Sequence, residues 1–241
     1  MDPLATALID ARERTLVLVS DLDDARWMGP RLAIVNPIRW EVGHLAWFQE
    51  LWTLRHPHGG ASEIPGADAL YDSARVAHDT RWDLPLLDRA AVLRFLKTTL
   101  ARALEVLERG GDRYFHRLAL FHEDMHGEAF TYTRQTLGYP APALGTPPPG
   151  AGPLDGDVEV PGACFTLGAQ QDEPFVFDNE KWGHQIKVAD FRIARAPVTN
   201  IQYAAFVEAG GYRERRFWSD AGWRWREQSG AERPVYWEPG F

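Results

Sequence analysis

The 241-residue chain has one cysteine, Cys164, so no internal disulfide braces it. Such scarcity fits a reducing, cytoplasmic setting. No run approaches about 18 consecutive apolar residues, the length a membrane span needs, so a membrane role is not expected. The first residues, Met1-Asp2-Pro3-Leu4, lack the basic and apolar regions of a secretory signal. A basic footprint is missing too. The net charge is −8, with 16 basic and 20 acidic groups in residues 1–150 and 10 and 14 in residues 151–241. Neither half suits nucleic acid, which needs a concentrated positive face. What is abundant is tryptophan: ten residues, in a chain whose apolar and charged fractions (45% and 25%) are ordinary for a globular protein. Aromatic surface on that scale serves core, interface or ligand.

One boundary is visible. Residues 140–157 hold six prolines and four glycines, which cannot continue a helix and act as a stiff linker. Upstream, residues 1–139 read as an antiparallel four-helix bundle. A first helix over 4–20 presents Leu8, Ile9, Leu16 and Val17, and a second over 37–55 opens with Asn36-Pro37 as cap and first residue. In a third, over 88–109, Leu93, Leu96, Leu100, Leu104 and Leu107 recur at helical spacing between Asp88 and Gly110-Gly111. The fourth covers 112–137. A loop over 56–87 is long for a compact domain, and loops of that length are more often functional than idle. Downstream, residues 158–241 read as a small α+β domain: strands over 162–168 and 184–194, one helix over 200–209 capped by Asn200, and loops beyond. About 85 residues with so few regular elements make a marginal domain. The expectation is that the chain, ending at Trp237-Glu238-Pro239-Gly240-Phe241, stops inside it.

The strongest chemical signal is His122-Glu123-Asp124-Met125-His126. Histidines at i and i+4 share a helix face and can converge on one metal ion. Imidazole suits zinc, copper, iron and nickel alike. A bundle site needs a ligand from a facing helix, and His44 projects from an apolar stripe with Trp40, Trp47 and Phe48. Alone it would read as a core histidine; beside the pair it reads as the third ligand. Gly43 next to it would let another element approach closely. The same pentapeptide matches zinc proteases, in which the glutamate is the general base. Ala129 and Tyr132 stand where the metzincin extension has glycine and histidine, which counts against that reading. Glu123 and Glu128 are then groups that orient imidazoles, or are solvated. The other histidines are weaker candidates: His56 and His58 flank Pro57 in a polar loop, His78 and His116 have no helical partner at ligand spacing, and His184 lies beyond the linker.

These residues resemble a family. His44 followed by HEDMH, the Pro-rich linker, Phe177–Lys181 and Phe191–Tyr212 are similar to the ergothioneine-type sulfoxide synthases. The resemblance implies a DinB-like four-helix bundle followed by a partial formylglycine-generating-enzyme-like (C-type-lectin-like) domain. It implies non-haem ferrous iron, Fe(2+), on His44, His122 and His126, and O2-dependent bond formation at the imidazole C2 of hercynine. Within the family, Leu70–Leu86 and His122–Pro142 look more like the selenoneine synthases, which take a selenosugar in place of a low-molecular-weight thiol. Sulfur enzymes that use γ-glutamylcysteine carry an arginine pair before the third helix; Arg75 and Arg81 lie there in a different arrangement. Trp47, Tyr132 and tryptophans of the second domain are candidates for an aromatic wall around the trimethylammonium group. The family's catalytic tyrosine is expected past residue 241, so no catalytic residue is assigned. A metal-dependent thiol transferase of the DinB type, using zinc or nickel without O2, is the alternative from another enzyme class.

Overall fold

The computed structural model describes residues 2–56, 59–145, 150, 152 and 154–237. They form two compact units, one of residues 1–146 with 171–179 and one of 147–170 with 180–241. The linker residues 146–149, 151 and 153, the loop residue His58 and the terminal residues 238–241 lie outside the described residues.

The first unit is helical. α1 (Pro3–Val19) starts on Asp2, whose side chain accepts from the Leu4 N–H, and buries Leu4, Leu8, Ala11 and Leu18. The face is rotated from the one the sequence suggests: Leu16 is exposed, and Arg12 and Thr15 are buried in its place. α2 (Asp24–Met28) is a single turn that buries Trp27. α3 (Ile38–Glu50) begins after Pro37, which occupies the cap position. Asn36 does not cap it: its Nδ2 donates to Glu41 Oε1 at 3.2 Å. The helix loosens into a π-helical turn over Leu51–Arg55, a local geometry that recurs near functional sites.

The segment 56–87 is built rather than irregular. It contains α4 (Ala67–Tyr71) and a 3-10 turn at His78–Thr80. α3 and the π-helical turn after it hold it down: Arg55 pairs with Asp68 at 2.8 Å, Trp40 Nε1 donates to the Leu70 carbonyl at 2.7 Å, and Tyr71 is fully buried. α5 (Arg89–Glu108) is capped by Asp88 and α6 (Arg113–Thr136) by Asp112. Glycines at φ +88° and +66°, Gly110 and Gly138, follow α5 and α6. α3 is the central helix, packed against α5 and α6, and all but Arg39 and Phe48 of its residues are buried.

The second unit has two antiparallel ribbons. β1 (Asp157–Val160) pairs with β4 (Phe191–Ala194), and β2 (Ala163–Leu167) pairs with β3 (His184–Val188). The expected single strand over 184–194 is therefore two strands in different ribbons, parted at Ala189-Asp190. α7 (Asn200–Glu208) is capped by Thr199, one residue before the expected Asn200, through a reciprocal box with Gln202. α8 (Asp220–Ser229) occupies a stretch read as loop; its Trp- and Arg-rich sequence has no buried residue and hence no core-facing stripe to betray a helix. Residues 171–179 belong with the helices. Tyr114 Oη donates to the Val176 carbonyl at 2.9 Å, and Phe175 packs on Tyr114 and Phe121. No helix among the described residues is long and apolar enough to cross a membrane.

Candidate metal centre

α3 and α6 bring three histidines together. The imidazole nitrogens of His44, His122 and His126 lie within 4.8 Å of one another. His44 is buried, while His122 and His126 are partly exposed. Its ring is fixed from three sides. His44 Nδ1 donates to the Tyr71 carbonyl at 2.8 Å, Trp40 stacks on it at 4.9 Å between centroids, and Trp47 at 5.7 Å. With its N–H committed to Tyr71, His44 presents a lone pair at Nε2, 3.1 Å from His122 Nε2. Two ring nitrogens that close share either a proton or a cation. His122 is clamped by Phe48, whose ring is 3.6 Å away and nearly parallel. His126 Nδ1 donates to Glu41 Oε1 at 3.2 Å, which leaves its Nε2 for the cluster.

Burial favours the neutral imidazoles a metal requires. It pushes His44 down to about 3, helped by the neighbouring His126, and pushes His122 well below the ordinary range. Three convergent neutral nitrogen donors suit a divalent first-row metal.

Gly43 makes the arrangement possible. A Cβ there would lie 2.2 Å from Tyr71 Cε1, so only glycine admits the tyrosine whose carbonyl orients His44. The close approach expected at this position is thus made by α4.

Glu123 does not have the role the pentapeptide suggests. It is buried and faces α1, where Arg12 Nε and Nη2 donate to its two oxygens at 2.7 and 3.1 Å. Arg12 also bonds Gln49 Oε1 at 3.0 Å and the Leu96 carbonyl. Arg12, on α1, thereby ties its helix to Glu123 on α6, Gln49 on α3 and Leu96 on α5. Glu123 neither orients an imidazole nor meets solvent, and a carboxylate so paired cannot serve as a protease base. The carboxylate beside the cluster is Glu41, which the sequence reading missed. Its signal was a Glu three residues before His44, on the same helix face.

The residues expected to touch substrate fall into two groups. Trp47 is buried with its indole N–H bonded to Asp68 at 2.7 Å. The Arg81 guanidinium lies over the Trp40 ring at 3.8 Å and donates to Asn36 Oδ1 at 2.7 Å. Arg75 is exposed and pairs with Asp72. Tyr132 keeps 46% of its surface, its hydroxyl pushed up by partial burial and by Glu41 and Glu128. Of the remaining histidines, His116 and His78 bond backbone carbonyls inside the fold, and His56 packs between Trp52 and Phe115.

Residues 7–137 match the DinB superfamily, and residues 145–238 the sulfatase-modifying factor enzyme 1-like domain. The chain is 39% identical to the hercynine oxygenase of Mycolicibacterium thermoresistibile over 98% of its own length and 55% of that protein. It is 34% identical to that of Mycolicibacterium smegmatis over 99% of its length and 58% of the relative. Over 27% of its length it is 39% identical to the formylglycine-generating enzyme of Thermomonospora curvata, covering 22% of that protein. It thus spans little more than half the length of the hercynine oxygenases. With a match across more than half of its residues, the chain belongs to the DinB superfamily, its bundle followed by a sulfatase-modifying-factor-like domain as in the ergothioneine-type family.

Proposed function

We propose that this chain carries the metal centre of an O2-dependent oxygenase acting on hercynine, with ferrous iron held by His44, His122 and His126. The observation that carries the reading is the convergence of three imidazoles in a chain 34–39% identical to hercynine oxygenases along almost its whole length. Iron, when bound, supplies the redox chemistry by which O2 joins a chalcogen to the imidazole C2. The protein supplies the rest. Tyr71 holds one ligand in the required tautomer, and Trp40, Trp47 and Phe48 seal the bundle side against water. His122 and His126 keep the exposure through which substrates reach the cluster.

Tyr132 and Arg75, both with solvent-facing side chains, are the substrate contacts in this proposal; Trp47 and Arg81 support the cluster from behind. With Arg81 bound inside the fold, the pair Arg75–Arg81 is poorly placed to grip the carboxylates of γ-glutamylcysteine. That supports a selenosugar as donor over a thiol. The cytoplasmic setting suggested by the single cysteine belongs to the same proposal.

The test is the iron-loaded chain mixed with hercynine and either a selenosugar or a thiol, with and without O2. Any consumption of hercynine is expected to require O2, and His122→Ala is expected to lose its iron. Consumption without O2 would overturn the reading in favour of redox-neutral transfer.

A further inference from the structure

A buried carboxylate stands behind the histidine cluster, and nothing in the donor set itself requires it. Glu41 is 1% exposed, on the turn of α3 that precedes His44. Its Oε1 accepts from His126 Nδ1 and from Asn36 Nδ2, each at 3.2 Å. Asn36 in turn accepts from Arg81 Nη1 at 2.7 Å, and the Arg81 guanidinium covers Trp40, the ring stacked on His44. A continuous chain thus runs Arg81, Asn36, Glu41, His126. Glu41 Oε2 is buried without a partner among the described residues. Burying a carboxylate this way is costly unless a nearby positive charge offsets it. Arg81 offsets part of that cost, and a cation at the three histidines would offset more.

We infer that Glu41 is a positioning residue for the metal centre: it accepts the Nδ1–H of His126, fixes the tautomer that aims Nε2 at the ion, and is itself aligned by Asn36 and Arg81. A carboxylate in this position does two things. It selects one imidazole tautomer, since a carboxylate accepts and cannot donate, and it raises the basicity of the nitrogen opposite. α3 then supplies both a ligand, His44, and the group that orients a ligand on α6. The inference rests on the metal-centre reading above.

The test is a titration of the purified 241-residue chain with Co(II) alone, read by its ligand-field absorption, beside long-range 1H–15N NMR of the metal-free protein to report histidine tautomers. Glu41→Ala is expected to weaken Co(II) binding about 10–100-fold and to abolish the uniform Nδ1–H tautomer of His126. Glu41→Gln offers a similar shape and a carbonyl acceptor, so it is expected to restore the tautomer and part of the affinity. A wild-type chain that takes no cobalt would overturn the metal-centre reading itself. A wild type that binds cobalt, with Glu41→Gln and Glu41→Ala both matching its affinity and His126 tautomer, would overturn this inference alone. If the alanine variant does not fold, the tautomer of His126 in the wild type decides. Nδ1–H supports the inference and Nε2–H contradicts it.

Discussion

At the scale of single residues, the histidine cluster depends on groups that are not ligands. Gly43 is the sharpest case, because its missing Cβ is the space Tyr71 occupies. Gly43→Ala is expected to cost about 1–3 kcal/mol through overpacking and to displace the Tyr71 carbonyl from His44. Urea unfolding measures the first effect and the His44 Nδ1 resonance the second. Protonation acts on the same ring. The fold holds the His44 pKa near 3, whereas the unfolded chain takes up that proton around the ordinary histidine value of 6.5. Stability from neutral His44 is therefore complete above pH 6.5 and lost as pH falls from there towards 3. Between pH 7.5 and 5 the metal-free protein is expected to lose about 2 kcal/mol from this residue, and a His44→Phe variant to lose correspondingly less. Urea midpoints at the two pH values measure the difference.

At the scale of elements, α3 explains why part of the site was legible in the sequence and part was not. His122 and His126 are neighbours by helical periodicity, and His44 stands out as the polar member of an aromatic stripe, so the three ligand candidates follow from local pattern. Glu41, Arg81 and the Tyr71 carbonyl act through tertiary contacts spanning 27 to 85 residues, which no window reports. Burial deceived in the other direction at Glu123. The pentapeptide fixes its spacing to the histidines, but it points off their face to Arg12 on α1. That pair gives a clear expectation. Glu123→Ala leaves the buried Arg12 without its carboxylate and should cost about 3–5 kcal/mol, whereas replacing both by apolar residues should be near neutral. The double variant is expected to keep its metal, as titration with Co(II) would show; loss of metal with the fold intact would restore Glu123 to the site. The loop 56–87 stood out by its length, but its α4 turn is five residues long and held by α3 rather than by its own pattern.

At the scale of the whole molecule, the helical unit was readable because α1, α5 and α6 each bury one face, although α3 is buried on nearly every side. The second unit was readable as strands but not in its pairing, since four short strands share no periodicity that says which ribbon each joins. The nine residues 171–179, which match the second family domain by sequence yet pack with the helices, show the same limit. The ten tryptophans divide by use as well as by position. Trp27, Trp40 and Trp47 are core, two of them against the candidate ligand His44. In the proposed centre, three histidines drawn from two helices bind one metal ion. X-ray absorption at the iron edge of the Fe(II)-reconstituted chain tests it most directly. One iron per chain is expected, with the multiple-scattering signature of three imidazoles, falling to two or to no bound iron in His126→Ala. An iron shell of carboxylate and water oxygens without imidazole, or a spectrum unchanged in His126→Ala, would contradict it.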